Sequence, residues 1–402
     1  MDSRTFRLVI LLSVAHALVH VFELSMPSVE REIATIYDDG KSEYTGWLSF
    51  WFRVPWGLGA LFVGMLVDKF GARVMLTIYF VGCAACCFLI SGQPTSDMLT
   101  CLMFVLGCFA SIYHPAGLAL LSLKTTPENR PHALGIHGVF GSAGIALAPL
   151  LVAVLLNYGL SWTVYFQVLG VVGIVAAIIF AGPCRGLLHY DPLESVNKQD
   201  STKADGGRNV PSPWTSFFIV TSIAGLMGLV YSGVLTFMKK YFTDMNAGGD
   251  DDLIRSSYFM AGALMLGCVG QYLAGKFARI DRLEKQLIAI TYANVPLLIL
   301  MALAEGEWKF IAAGLFSLIH FMFQPIYNSL IPKYTPENRR SLCYGYNFVI
   351  GFGIGGLGAP LAGKIDDLVY TYYILAGVAM VSATIGIILI KINRNEVDHA
   401  PS

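Results

Sequence analysis

The chain has 402 residues, 55% of them apolar and 13% charged, with 27 basic residues balanced by 27 acidic ones. Soluble domains carry about 25% charged residues, so this chain lacks the charge to cover two soluble domains. The same composition excludes a disordered chain, a collagen, a disulfide scaffold and a basic nucleic-acid binder.

The first apolar run, 6–26, follows Arg4 and Arg7. It starts like a signal peptide, but no small-residue cleavage site follows, so it reads as a first transmembrane helix. His16, His20 and Glu23 recur at i, i+4 and i+7, which places all three on one helical face. The second run, 46–67, carries Arg53 near its outer end, at a depth where it can pair with Glu23. Trp47, Phe50, Trp51 and Trp56 crowd the same run, as packing groups or as walls of a ligand pocket. Runs 74–91 and 98–121 follow, the latter holding His114-Pro115. The run 134–156 contains His137 among Gly135, Gly138, Gly141 and Gly144, with Pro149 beyond, and 162–181 completes six. Each run is near the roughly 20 residues that cross a bilayer.

Residues 183–213 are polar, with Asp191, Glu194, Lys198, Lys203 and a Gly-Gly pair, and read as a linker. Six further runs follow at 214–236, 257–277, 286–303, 308–331, 343–363 and 371–390. In the tenth, His320, Gln324 and Asn328 make another polar face, and Asn347 lies in the eleventh. Ionisable and amide groups within spans are costly unless they face a cavity. These residues are therefore the expected substrate cavity, together with Arg53, His114 and His137. Glu23, with His16 and His20, is the expected proton carrier, being an acid in a low-dielectric setting beside groups that titrate near neutrality.

Thr126-Pro127-Glu128-Asn129-Arg130 recurs 209 residues later as Thr335-Pro336-Glu337-Asn338-Arg339, and His114-Pro115 is matched by Gln324-Pro325. Two homologous halves are the simplest account: a bundle over 1–182, a linker over 183–213 and a bundle over 214–402. The expected fold is all-α, with twelve transmembrane helices in two pseudo-symmetric six-helix bundles. With the N-terminus inside, 19 basic residues fall on inner sections and six on outer ones, which predicts both termini in the cytoplasm.

Twelve spans, the six-plus-six division and the run Gly64-Met65-Leu66-Val67-Asp68-Lys69-Phe70-Gly71-Ala72-Arg73 resemble the major facilitator superfamily of secondary transporters. The resemblance implies alternating access, with Gly64, Asp68, Gly71 and Arg73 at an inner gate. Arg130 and Arg339, from the two repeat copies, join that set. Tyr113-His114-Pro115-Ala116-Gly117 with His137 resembles bacterial fosmidomycin-resistance-type exporters. No phosphate-binding loop or dinucleotide fingerprint is present, so no cofactor is expected, and a proton gradient is the expected energy source. The cysteines lie mostly in apolar runs and the histidines are scattered, so no metal site is expected. No nucleophile–base set points to an enzyme.

The resulting expectation is a monomeric, proton-coupled transporter of the bacterial inner membrane. Its partners are the lipid bilayer, protons and a small organic solute, with no nucleic acid. Export of an organic anion or amphipathic compound is the leading direction; uptake of a carboxylate or other nutrient, and a non-transporting receptor, are the alternatives.

Overall fold

The computed structural model describes residues 1–126, 129–184, 186–188, 214–243, 250–335 and 340–398, with backbone alone at 130, 131, 250, 280, 340, 341 and 393–398. Among the described residues, twelve helices are long and apolar enough to span a membrane: α1 Ser3–Glu23, α2 Glu43–Phe70, α3 Ala72–Ser91, α4 Ser96–Lys124, α5 His132–Asn157, α6 Trp162–Ala181, α7 Trp214–Thr236, α8 Asp251–Phe277, α9 Leu283–Leu303, α10 Trp308–Tyr334, α11 Leu342–Ile365 and α12 Leu368–Ile392. They form the two six-helix bundles, and no strand occurs among the described residues. Phe62, Ile178, Phe277 and Leu303 are each 60–63% exposed, apolar side chains on spanning helices that suit contact with lipid. The expected bundle boundary lies in 183–213, almost all of it outside the described residues, as are Pro127, Glu128 and 336–339 of the repeat.

The pseudo-symmetry is written into the prolines. α4 is interrupted between Ala110 and Tyr113, and α10 between His320 and Phe323. Each interruption lies just before its proline, Pro115 or Pro325, which cannot donate to the carbonyl four residues back. Pro360 does the same in α11, where it leaves the Gly356 carbonyl free to accept from Ser232 Oγ at 3.0 Å. Just before that point α11 widens to a π-helical turn over Val349–Ile354 and tightens again over Gly355–Leu357. Such irregular turns often accompany functional sites.

The halves meet where α2 packs on α11 and α5 on α8. Within the first half, α5 lies against α1 so closely that a Cβ on Gly144 would stand 2.1 Å from the Ala17 carbonyl oxygen. Gly144→Val is therefore expected to cost at least about 1–3 kcal/mol. A lower yield of monodisperse protein and a lower melting point in detergent are the readouts; an unchanged melting point would remove this contact from the account.

At the end of the bundle away from the termini, a short helix Met238–Thr243 clamps the segment between α1 and α2. Lys239 Nζ donates to Glu32 Oε1 at 2.6 Å and to the Ser28 carbonyl at 3.0 Å. Lys240 Nζ donates to Ser42 Oγ at 3.0 Å and to Asp366 Oδ1 at 2.6 Å. Lys239 and Lys240, which the sequence shows only as topology charges, thus tie the second half to the first.

Candidate functional site

α1 ends at Glu23, and its polar face turns inward against α2, α4 and α5. Glu23 is 2% exposed and Arg53 1%. Arg53 Nη1 donates to Glu23 Oε1 at 2.7 Å, and Tyr231 Oη, from α7 in the other half, donates to the same oxygen at 3.1 Å. The guanidinium also lies over the Tyr231 ring, 5.1 Å from its centroid. Beside it, Ser49 and Thr236 share a hydrogen bond of 2.9 Å between α2 and α7. A buried acid is thus held by one cation from its own half and one hydroxyl from the other.

The other carboxylate oxygen, Oε2, lies 2.7 Å from His20 Nδ1. His20 Nε2 lies 3.2 Å from His16 Nε2, and His16 Nδ1 lies 2.7 Å from the His137 carbonyl oxygen. A continuous chain therefore runs from Glu23 through two imidazoles to the α5 backbone. The His16 ring stacks on His137 with centroids 4.1 Å apart, and it fits because position 141 is glycine: a Cβ there would lie 2.3 Å from the ring. His114 packs edge-on to both His16 and His20, at 5.2 and 5.7 Å. Tyr113 stacks on His16 and donates its hydroxyl to the Leu12 carbonyl.

His16, His20 and His114 each offer a ring nitrogen within 4.8 Å of the others, the one group with such spacing found among the described residues. In sequence these histidines are scattered; the fold converges them. One of the separations is already spanned by the His16–His20 hydrogen bond, while His114 joins the group through ring contacts alone.

Several buried nitrogens at this centre have no partner: the Arg53 Nη2 and Trp56 Nε1 donors, and His114 Nε2, which donates or accepts according to its tautomer. Trp56 lies 5.7 Å from His114 and 4.7 Å from Phe352 of α11, and Phe348 lies 5.1 Å from His114. The centre is therefore a set of donors backed by aromatic rings from both halves.

The second-half residues expected in the cavity separate from this cluster. His320 Nδ1 donates to Asn294 Oδ1 of α9 at 2.9 Å, and the ring stacks on Tyr231 at 6.0 Å, so it meets Glu23 only through that tyrosine. Gln324 accepts from Gln271 of α8 at 2.9 Å. Asn328 is exposed, and its carbonyl accepts from Tyr344 Oη at 3.2 Å. Asn347 accepts from Thr221 at 2.8 Å, tying α11 to α7. Of the expected gate, Asp68 is exposed in the last turn of α2, and Gly71 ends that helix with φ +80°, a conformation favouring glycine. Arg73 is half-buried in the first turn of α3, and a Cβ on Gly64 would meet nothing within 4 Å. Arg339 and the side chain of Arg130 lie outside the described residues. Tyr231 and Asn294 are not among the residues expected from sequence; a hydroxyl inside an apolar run is the signal for the first, and for the second an amide inside one, the same signal that marked Asn328 and Asn347.

The family profile of the Major Facilitator Superfamily matches residues 24–360. The proline/betaine transporter of Escherichia coli (strain K12) is 24% identical over 368 residues, covering 84% of this chain and 72% of that one. The glycine betaine/proline/ectoine/pipecolic acid transporter of Dickeya dadantii (strain 3937) is 22% identical over 363 residues, with the same two coverages of 84% and 72%. In fold, the chain is similar to a bacterial homolog of the human lysosomal transporter Spinster, with a TM-score of 0.72 at 14% identity over 97% of this chain and 98% of that one. The profile match spans most of the length, the twelve spans agree with it, and the chain therefore belongs to the Major Facilitator Superfamily, as a membrane transporter and not an enzyme.

Proposed function

We propose that this protein takes up a small carboxylate-bearing solute together with protons by alternating access. The observation that carries the reading is Glu23, a buried acid bonded at once to Arg53 in its own half and Tyr231 in the other. Two halves that rock about a central site must break such a bond in each cycle. A proton taken up on the Glu23–His20–His16 chain changes the charge beside that contact and couples the movement to the gradient. The chain Glu23–His20–His16 is the path on which that proton travels.

The unpartnered nitrogens of Arg53, Trp56 and His114 suit a carboxylate, since a guanidinium nitrogen and ring N–H groups bind one well. The solutes named for the two relatives, among them proline, glycine betaine and pipecolic acid, each carry a carboxylate, and this favours uptake over the export expected from sequence. Export in the manner of fosmidomycin-resistance-type proteins is the second reading, favoured by the convergence of Tyr113, His114 and His137 on the site. In this reading the protein is a monomer in a bacterial inner membrane, with bundles 1–182 and 214–402 and both termini cytoplasmic.

Proteoliposomes loaded at pH 8 and diluted to pH 6 with radiolabelled proline or glycine betaine test the proposal. Wild type is expected to accumulate label and a protonophore to abolish it, while Glu23→Gln, recovered as monodisperse protein, stays at background. Accumulation indifferent to the pH gradient sinks proton coupling. Label leaving preloaded vesicles against its gradient, in exchange for protons, would favour export, and no flux at all despite binding would favour a receptor.

A further inference from the structure

We infer that the coupling proton resides between the two Nε2 atoms of His20 and His16, with Glu23 remaining ionised beside it. The inference rests on the proton-coupled reading and names the atoms that hold the proton. It follows from counting hydrogens. His16 Nδ1 faces the His137 carbonyl at 2.7 Å, and a carbonyl only accepts, so that nitrogen carries a hydrogen. His20 Nδ1 faces Glu23 Oε2 at 2.7 Å, while Arg53 and Tyr231 donate to Oε1 and hold the carboxylate in its charged form. That nitrogen carries a hydrogen too. With both Nδ1 positions filled, two neutral imidazoles would point lone pairs at each other across 3.2 Å. One added proton converts this repulsion into an N–H···N hydrogen bond. A second has no acceptor, so the pair takes one.

The charge balance places it. His20 is the better resting position, because its other nitrogen lies on the Glu23 carboxylate, whereas His16 is bonded only to a neutral carbonyl. The remaining groups facing the pair are His114 and Tyr113 from α4, His137 from α5, and Arg53 from α2, with Tyr231 from α7 beyond Glu23. None of these is an acid, so the protonated pair and Arg53 together exceed the one negative charge of Glu23. That excess suits a solute carboxylate and binds proton and anion as a unit. Loss of the proton restores the lone-pair repulsion and releases both.

Nitrogen NMR on the full-length chain with ¹⁵N-histidine in nanodiscs reads this directly. Wild type is expected to show, between pH 5 and 9, one imidazolium with both ring nitrogens protonated and slow to exchange with solvent. His132 is exposed and exchanges fast with solvent, and His132→Gln should leave the protected signal in place. His16→Gln and His20→Gln should each remove it, because either loss frees the other ring to be neutral. Glu23→Gln should weaken it, because the negative charge beside the His20 ring is gone. The absence of a protected imidazolium in wild type overturns the inference without any variant, and so does a signal that survives loss of either partner. Failure of pH-driven flux would instead sink the coupled reading and leave this spectrum unaffected.

Discussion

Arg53→Ala is expected to destabilise the protein by about 3–5 kcal/mol, the cost of leaving a buried charge without its partner. Both side chains are essentially sealed, Arg53 at 1% and Glu23 at 0% side-chain exposure, so water cannot replace the lost guanidinium. Tyr231 and His20 would remain on the carboxylate, but neither supplies a fixed positive charge. The double variant Arg53→Ala/Glu23→Gln should recover most of the loss, because the charge that lacked compensation is gone. Arg53→Lys should fall between, since an ammonium cannot hold Glu23 through one nitrogen while Nε reaches Ser49 at 3.4 Å. Melting points of these proteins and of Glu23→Gln alone, five in all, decide the matter in detergent. Equal melting of Arg53→Ala and wild type would show that the pair contributes no stability, and an additive double variant would show that the two side chains do not interact.

The pairing could be expected from sequence because both residues break rules that lipid imposes on helices. An acid and a guanidinium inside apolar runs are costly, and a common depth supplies a solution. The same logic placed His16 and His20 on one face with Glu23, since a helix repeats every 3.6 residues. It failed for helix 10. His320, Gln324 and Asn328 share a face, but a face says nothing of what stands opposite. The break before Phe323 separates the helical piece bearing His320 from the one bearing Gln324 and Asn328, and neighbours on α9 and α8 satisfy His320 and Gln324. Tyr231 was missed for the opposite reason: its hydroxyl does not raise the cost of its span enough to stand out. The convergence of His114 and His137 on helix 1 needed the bundle itself, because it depends on Gly141 and Gly144 letting α5 approach. The lysines at 239 and 240 read as topology charges because sequence counts charge on a side of the membrane and does not see burial.

Those lysines frame the second large effect, which concerns Glu30. It lies outside the spanning helices, in the segment that Met238–Thr243 clamps, and is fully buried. Burial pushes its carboxyl up from 4.5 to about 7, against the downward pull of Arg31, the Thr45 hydroxyl and Lys240 and with a small upward push from Glu32. Thr45 Oγ1 donates to one oxygen at 2.9 Å, and the other has no partner. A shift of that size corresponds to roughly 3 kcal/mol between the closed and the solvated carboxyl. The folded value is the higher one, so the closed end binds the proton more tightly. Its support for closure is complete below about 4.5, falls as pH rises towards 7, and is gone above it. Hydrogen exchange over residues 28–45, corrected for the intrinsic effect of pH, should therefore accelerate at least about tenfold between pH 5 and pH 8. Glu30→Gln, which keeps the Thr45 contact and cannot ionise, should exchange slowly at both. If the variant accelerates with pH as wild type does, Glu30 is not the group that loosens the clamp; if neither accelerates, the Lys239–Glu32 and Lys240–Asp366 pairs hold this end closed regardless of the proton.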